Sequence, residues 1–354
     1  MSGVLHLIDK NTPADMLHQL GLLGGADDVI ASVRGLPQHE ELAGRAVAIR
    51  TAIAPWIVPP SELLVLTDNA SAIHTWSPAA ERVGWALAYR CDIPLVHSAP
   101  SAPPPKWIHW AKGKMARHTF KLTVPTVAAR QRIVAAGIDK EMVHLLPPPA
   151  QMSDDAGGQR ERVREQLGLE PEHIAVIAPG EMRLHAGHKT AIWAWAIVKQ
   201  VYSSLRLLIP GAGPAERHVR FFADTTGYPG EIMFTGRRFG CSELLAGADV
   251  GLFFCERDCG TAALAAAMAA GIPIAGSCTA DIAECAPHER AALLSDPGQP
   301  RTAAANLLRL IEEPQLAASL GAAAKQIAKT RFTLEAVRAR LTEIYEAAAA
   351  PASA

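Results

Sequence analysis

Residues 248–276 read ADVGLFFCERDCGTAALAAAMAAGIPIAG, and this stretch decides the fold. Val250–Phe254 is an apolar run of strand length. A polar turn, Glu256–Gly260, follows it. Thr261–Ala270 is then a helix of small residues, stopped by Gly271 and Pro273, and Ile272–Ala275 is the next strand. Strand, turn, helix and strand in succession make a unit of parallel α/β sheet. Such sheets bind ligands at the carboxyl ends of their strands, against helix N-termini. The turn Glu256–Gly260 is therefore expected beside a bound anion.

The same alternation runs outward in both directions. Toward the N-terminus, Val4–Ile8 reads as the first strand, and Thr12 is expected to cap a helix with Pro13 at its first position. Val29–Val33, Ala46–Ile49 and Leu63–Leu66 read as strands. Pro78 opens a helix over Ala79–Arg90, and Ile93–His97 is a strand ending in a histidine. Leu122–Val124, the helix Val127–Ala136 and Val143–Leu146 complete a first α/β unit. Pro147-Pro148-Pro149 cannot continue a ladder, and the polar stretch Gln151–Gln159 reads as the connection between domains. The second half restarts the pattern with strands at Ile174–Ala178, Leu205–Ile209 and Ile232–Thr235, and ends in helices at Thr302–Glu312, Pro314–Lys329 and Leu334–Ala347. The division expected is an N-terminal domain over 1–155, a C-terminal domain over 156–330, a helix over 331–347 packing back on the first domain, and a disordered tail over 348–354.

Composition narrows the function classes. A chain of 354 residues, 49% of them hydrophobic, can form two cored domains. A formal net charge of -1 argues against a nucleic-acid binder. The six cysteines contain no C-x-x-C pair and no zinc spacing, so they read as reduced thiols of a cytoplasmic protein. No apolar run reaches the roughly 18–20 residues that span a bilayer, and too few residues precede the first strand for a signal peptide. Lys106–Lys121 (KWIHWAKGKMARHTFK) carries five Lys/Arg and two Trp without an acid. It suits either an anionic membrane surface, placing the protein peripherally at the inner face, or a solvated helix with its tryptophans on the core.

Several residues carry candidate chemistry. Arg183, His185, His188 and Lys189 cluster after a strand, where cations beside a helix N-terminus suit a diphosphate. Gly211-Ala212-Gly213 lies between strand and helix. It lacks the third glycine and the following acid of a dinucleotide site, so a tight turn approaching a ligand is the better reading. His97 and His74 end or follow strands of the first half and suit either a structural or a cleft-facing role.

Taken in order, these pieces resemble the retaining family 4 glycosyltransferases of the GT-B fold. The resemblance rests on the Arg183 loop with Gly187-His188, Leu208–Gly213, Phe234-Thr235-Gly236, Leu244–Val250, Ala267–Ile274, Glu284 and Phe332-Thr333. It covers about residues 170–347 and extends to the first half only in outline. It implies two Rossmann-like parallel-sheet domains facing across a cleft. It further implies a hexosyltransferase-type enzyme moving a sugar, with retention, from a nucleotide-sugar to a glycan, lipid or small-molecule acceptor. Neither metal nor other cofactor is implied. Arg183 and Lys189 are expected to hold the donor diphosphate, and Gly211, Gly213, Cys259, Gly260 and Thr261 to approach the donor. Asp258 and His97 are expected as the catalytic pair, with Asn11 and His74 on the acceptor side. This chain departs from the family's pattern at three of these positions. The paired glutamates of the family become Asp258 and Ala266, and its Lys-Gly becomes Ala186-Gly187. Those losses raise an alternative, a non-catalytic GT-B module that binds a nucleotide, a glycan or a partner glycosyltransferase.

Overall fold

Each half of the chain builds one parallel sheet, and the two sheets share a strand order. The structure is a computed structural model. It describes residues 3–350 except 34, 38–41, 43, 50–59, 101–105, 108–118, 153–155, 237–240 and 258–260. The chain divides into one unit of residues 1–147 with 334–354, and a second of 148–333. The division falls within the proline triplet rather than at 155/156. The connector is short because a helix already begins at Ala156.

The first unit contains β1 (Val4–Ile8), α1 (Ala14–Leu23), β2 (Val29–Ser32), β3 (Ala46–Ala48), α2 (Ser61–Thr67), β4 (Ala72–Thr75) and α3 (Pro78–Cys91). β5 (Leu95–Ser98), β6 (Phe120–Val124), α4 (Val127–Ala135) and β7 (Val143–Leu145) follow. Its sheet runs β3-β2-β1-β4-β5-β6-β7, all parallel in register. Ser77 and Thr126 cap α3 and α4 by accepting from Ala80 N and Ala129 N. Two local expectations are corrected here. Leu63–Leu66 is not a strand but lies in α2. Pro60 and Glu62 open that helix, Leu63 and Thr67 are buried one turn apart, and Val65 points to solvent. Thr12 does not cap α1. Its hydroxyl instead closes the turn after β1, accepting from Asp9 N at 2.8 Å and donating to Asp9 Oδ1 at 3.1 Å.

The second unit contains α5 (Ala156–Gln166), β8 (Ile174–Ile177), α6 (His188–Lys199), β9 (Leu205–Pro210), α7 (Glu216–Asp224), β10 (Ile232–Gly236), α8 (Cys241–Gly247) and β11 (Val250–Phe253). It continues with α9 (Thr261–Ala270), β12 (Ile274–Ser277), α10 (Ala280–Cys285), β13 (Leu293–Ser295), α11 (Pro300–Glu312) and α12 (Pro314–Arg331). The sheet order is β10-β9-β8-β11-β12-β13. Both sheets thus have the doubly wound order, with the reversal beside β1 in one and β8 in the other. α9 is buried on nearly every side, between α8 and α12. Its alanines permit that close approach. At its end Gly271 (φ 75°) turns the chain against Gly321 of α12, where a Cβ would lie 2.3 Å from the Gly271 carbonyl oxygen.

The last helix, α13 (Leu334–Ala349), belongs to the first unit, where it contacts α1, β4, β5 and β6. Val337, Leu341, Ile344 and Ala348 form its buried stripe, at helical spacing, against Ile8, Met16, Leu17 and Trp76. The disordered tail was expected from Ala348, but the helix continues through Ala349 with Ala348 buried in the core. Most of Lys106–Lys121 lies outside the described residues. Trp107 is described, and its indole N–H donates to the buried Glu81 at 2.6 Å. Among the described residues no helix is long and apolar enough to cross a membrane. Among the described residues Cys91, Cys255, Cys278 and Cys285 form no disulfide.

Candidate functional site

The reversal between β8 and β11 opens a crevice at their carboxyl ends, which is where a doubly wound sheet takes its ligand. The loop 178–187 leaves β8, and the loop that begins at Phe254 leaves β11. The two are joined backbone to backbone. Gly187 has φ 72°, and a Cβ there would lie 2.1 Å from the carbonyl oxygen of Phe254. Beside this contact Glu256 N donates to His185 O at 3.0 Å, and the His185 Nδ1 lies 2.9 Å from Glu256 Oε2. The turn after β9 closes on the same loop. A Cβ on Gly213 would lie 2.4 Å from Met182 O, Met182 N donates to Ala212 O at 3.2 Å, and Ala215 N donates to Met182 O at 2.8 Å. Gly211 (φ 92°) donates its N–H to Gly236 O at 2.8 Å. Gly211 and Gly213 therefore let one loop approach the next, and the three loops form a single braced platform.

The platform presents charge. Arg183 is exposed, and its Nε and one terminal nitrogen each lie 2.7 Å from Glu181 Oε2. A planar fork held by one half-buried carboxylate can exchange that partner for a phosphate. Helix α6 begins at His188 after Gly187, and no side chain caps it, so its first N–H groups are available to an anion. Lys189, the second residue of α6, is also exposed, but its ammonium lies 5.8 Å from the ring centroid of Phe222 on α7. Arg183 and Lys189 thus have different partners. His188 is buried beneath the loop. Burial pushes its imidazole down to about 4, only partly offset by the backbone of Gly180, so the ring is neutral. Neither ring nitrogen makes a hydrogen bond of ordinary geometry. Thr261 opens α9 and is buried, and Ala266 is half-buried on the same helix with no acid to offer. Asp258, Cys259 and Gly260 lie outside the described residues.

In the first unit the named histidines are both interior. His97 is 3% exposed on the α3 face of the sheet. Its Nδ1 lies 2.9 Å from Thr75 Oγ1, and its Nε2 lies 3.8 Å from Oε2 of the buried Glu81, which also accepts from Trp85 and Trp107. His74 faces the other side of the sheet, between Ser98 Oγ at 2.8 Å and Tyr345 Oη at 2.6 Å, and stacks on Trp76. Burial, with the nearby His6 and His97, holds its imidazole well below the usual range, and burial with the Asp28 charge pushes the Tyr345 phenol well up. Asn11 is exposed in the turn after β1, at this sheet's own reversal.

Glu181 drew no role from the sequence, and Glu256 only a place at the start of the turn after Phe254. Their signal was local: Glu181 stands two residues from Arg183, and Glu256 opens the turn after β11.

Residues 159–327 match the family model of the glycosyl transferases group 1. The D-inositol 3-phosphate glycosyltransferase of Segniliparus rotundus is 25% identical over 205 residues, covering 51% of this chain and 44% of that protein. The N-acetyl-alpha-D-glucosaminyl L-malate synthase of Bacillus anthracis is 25% identical over 185 residues, covering 52% and 48%. The matches thus span less than half the length of these two curated relatives. Among solved structures, Anabaena HepE in complex with UDP and glucose superposes with a TM-score of 0.84 at 16% identity, covering 98% of this chain and 100% of that one. Sucrose-phosphate synthase from Thermosynechococcus elongatus gives 0.75 at 17% identity, covering 98% of each chain. At such identities the likeness establishes the fold. The platform of the second unit therefore lies within the stretch that matches the glycosyl transferases group 1 model, in a chain of two Rossmann-like units with the GT-B fold.

Proposed function

We propose that this chain transfers a hexosyl group, with retention, from a nucleotide-sugar to an acceptor hydroxyl on a glycan, a lipid or a small molecule. The observation that carries this reading is the family match over the very unit whose crevice offers Arg183 and the uncapped N-terminus of α6. The UDP and glucose held by HepE make a UDP-sugar the first donor to try. In the reaction the bond from the anomeric carbon to the diphosphate oxygen breaks, and the acceptor oxygen bonds that carbon on the same face. The acceptor proton and the nucleoside diphosphate leave. Negative charge grows on the departing diphosphate, and fixed donors aimed there lower the barrier. Arg183 and the α6 amides serve that role, with Lys189 reaching in from its place over Phe222. Asp258 and the amides of Cys259, Gly260 and Thr261 meet the donor. Asn11, exposed, meets the acceptor side, with His74 and His97 set in the sheet behind it. The chemistry asks for no metal in this scheme.

A second reading, a non-catalytic module that binds a nucleotide or glycan, is favoured by Ala266 and Ala186, which remove a carboxylate and a cation from the family's pattern. Calorimetric titration with nucleoside diphosphates tests what both readings share. One diphosphate is expected to bind, and Arg183→Ala to weaken it by about 10–100-fold, the worth of a charge-assisted pair. Absence of binding across the panel, or an affinity indifferent to Arg183→Ala, would sink the site.

A further inference from the structure

The first unit has a second, unrelated concavity at the free edge of its sheet. β7 is the last strand in the order, and a cavity of ≈ 340 Å³ lies along it, between α4 and α13. That volume is at the small end of metabolite pockets. Leu145 and Ile344 give it apolar walls, and Arg130, His144 and Arg340 line it from three different elements.

The charges are unevenly compensated. Arg130 donates from Nε to Val143 O at 2.8 Å and from a terminal nitrogen to Lys140 O at 3.0 Å. Lys121 of β6 donates to Glu141 O at 3.2 Å. Both cations are thus held in place by neutral carbonyls, and neither has a carboxylate partner among the described residues. Two acids do line the pocket. Glu343 is committed to Arg340 at 2.6 Å, and Glu141 stands at the rim, 76% exposed, 3.9 Å from Lys140. Such exposed rim pairs contribute little field. Three cations, Arg130, Lys140 and Arg340, thus line the pocket with two carboxylates, and Lys121 adds a further positive charge near His144. His144 reports the result. Burial and the nearby Lys121, Arg340 and Arg130 hold its imidazole below the usual range, against a hydrogen bond to Glu141 O that raises it.

We propose that this edge pocket binds an oxyanion, the phosphate or carboxylate group of a small ligand, between Arg130, Arg340 and His144. An anion there would offset the positive charges that, together with burial, hold the His144 imidazole low, so binding and proton uptake at His144 are coupled. The pocket is built wholly within the first unit, and the proposal stands apart from the donor site.

The test follows the His144 ring by NMR, its signal assigned with His144→Gln, while inorganic phosphate or succinate is titrated into the full chain. Chloride holds the ionic strength constant. Saturable shifts are expected with at least one of the two anions, together with an upward move of the His144 titration midpoint. Arg340→Ala, an exposed residue, should weaken that binding about tenfold or more, and Arg130→Gln should do the same if its circular dichroism melt matches the parent. A shift that stays linear for both anions overturns the proposal. So does saturable binding that survives Arg340→Ala unchanged, because the ion would then sit elsewhere.

Discussion

Single residues fix the platform through contacts that are remote in sequence. Gly187 belongs in the sequence to the Arg183 loop, yet its constraint is the carbonyl of Phe254, 67 positions away in the chain. Gly213 likewise packs against the backbone of Met182. No local pattern encodes such pairs, so these braces were not legible in the sequence. Arg183 was legible because a cation after a strand has a plain use, whereas its tether to Glu181 needed the structure. Gly187→Ala is expected to cost more than about 2 kcal/mol, since it adds steric overlap with backbone to left-handed strain. It should also weaken diphosphate binding. Gly227→Ala is the control, with φ 79° and nothing within 4 Å of the added Cβ, and should cost only about 1 kcal/mol without touching binding. Equal losses in the two variants, read by urea unfolding, would refute the platform argument. Asp28 supplies a pH test. Burial alone would raise its carboxyl, but the hydrogen bond and charge of His6 and the N–H groups of Val4 and Gly25 hold it down at about 2. A depressed carboxylate stabilises above its unfolded value of 3.8, and that contribution is lost as pH falls toward 2. Asp28→Asn should therefore cost about 1–2 kcal/mol at pH 7, allowing for solvent screening, with the gap to wild type closing between pH 4 and 2.

At the level of elements, long periodic segments were readable and short apolar runs were not. Leu63–Leu66 is apolar at every position and fits a strand or a helix turn equally, and only Pro60 and Glu62 tip it to a helix. The strand order was illegible at one point in each sheet, the β1–β4 and β8–β11 pairings, where neighbours are not consecutive in the chain. The packing of α13 on the first unit was among the expectations, and its stripe of Val337, Leu341 and Ile344 gives that packing physical content. Burying those three side chains is worth about 5–9 kcal/mol, comparable with the whole stability of a domain. A chain ending at Thr333 should therefore lose the calorimetric transition of the first unit and keep that of the second. Retention of both transitions would show that α13 is dispensable to that core.

For the molecule as a whole, two α/β units were legible because the strand–turn–helix alternation restarts after the proline triplet. The family signal was legible mainly in the second unit, where Arg183, Gly211–Gly213 and Ala267–Pro273 keep their order. The field around His144 was not legible, because Lys121, Arg130 and Arg340 meet only when β6, α4 and α13 are folded together. In this reading the second unit's crevice holds a nucleotide-sugar for transfer, with Ala266 and Ala186 tolerated. The most direct measurement is release of nucleoside diphosphate from a panel of nucleotide-sugars, with acceptors present, by wild type and by Arg183→Ala. We predict release from at least one donor, and a rate lower by about 10²–10³ in the variant, as for loss of one charge-stabilising donor. No release from any donor, while a diphosphate still binds, would contradict catalysis and leave the binding module as the function.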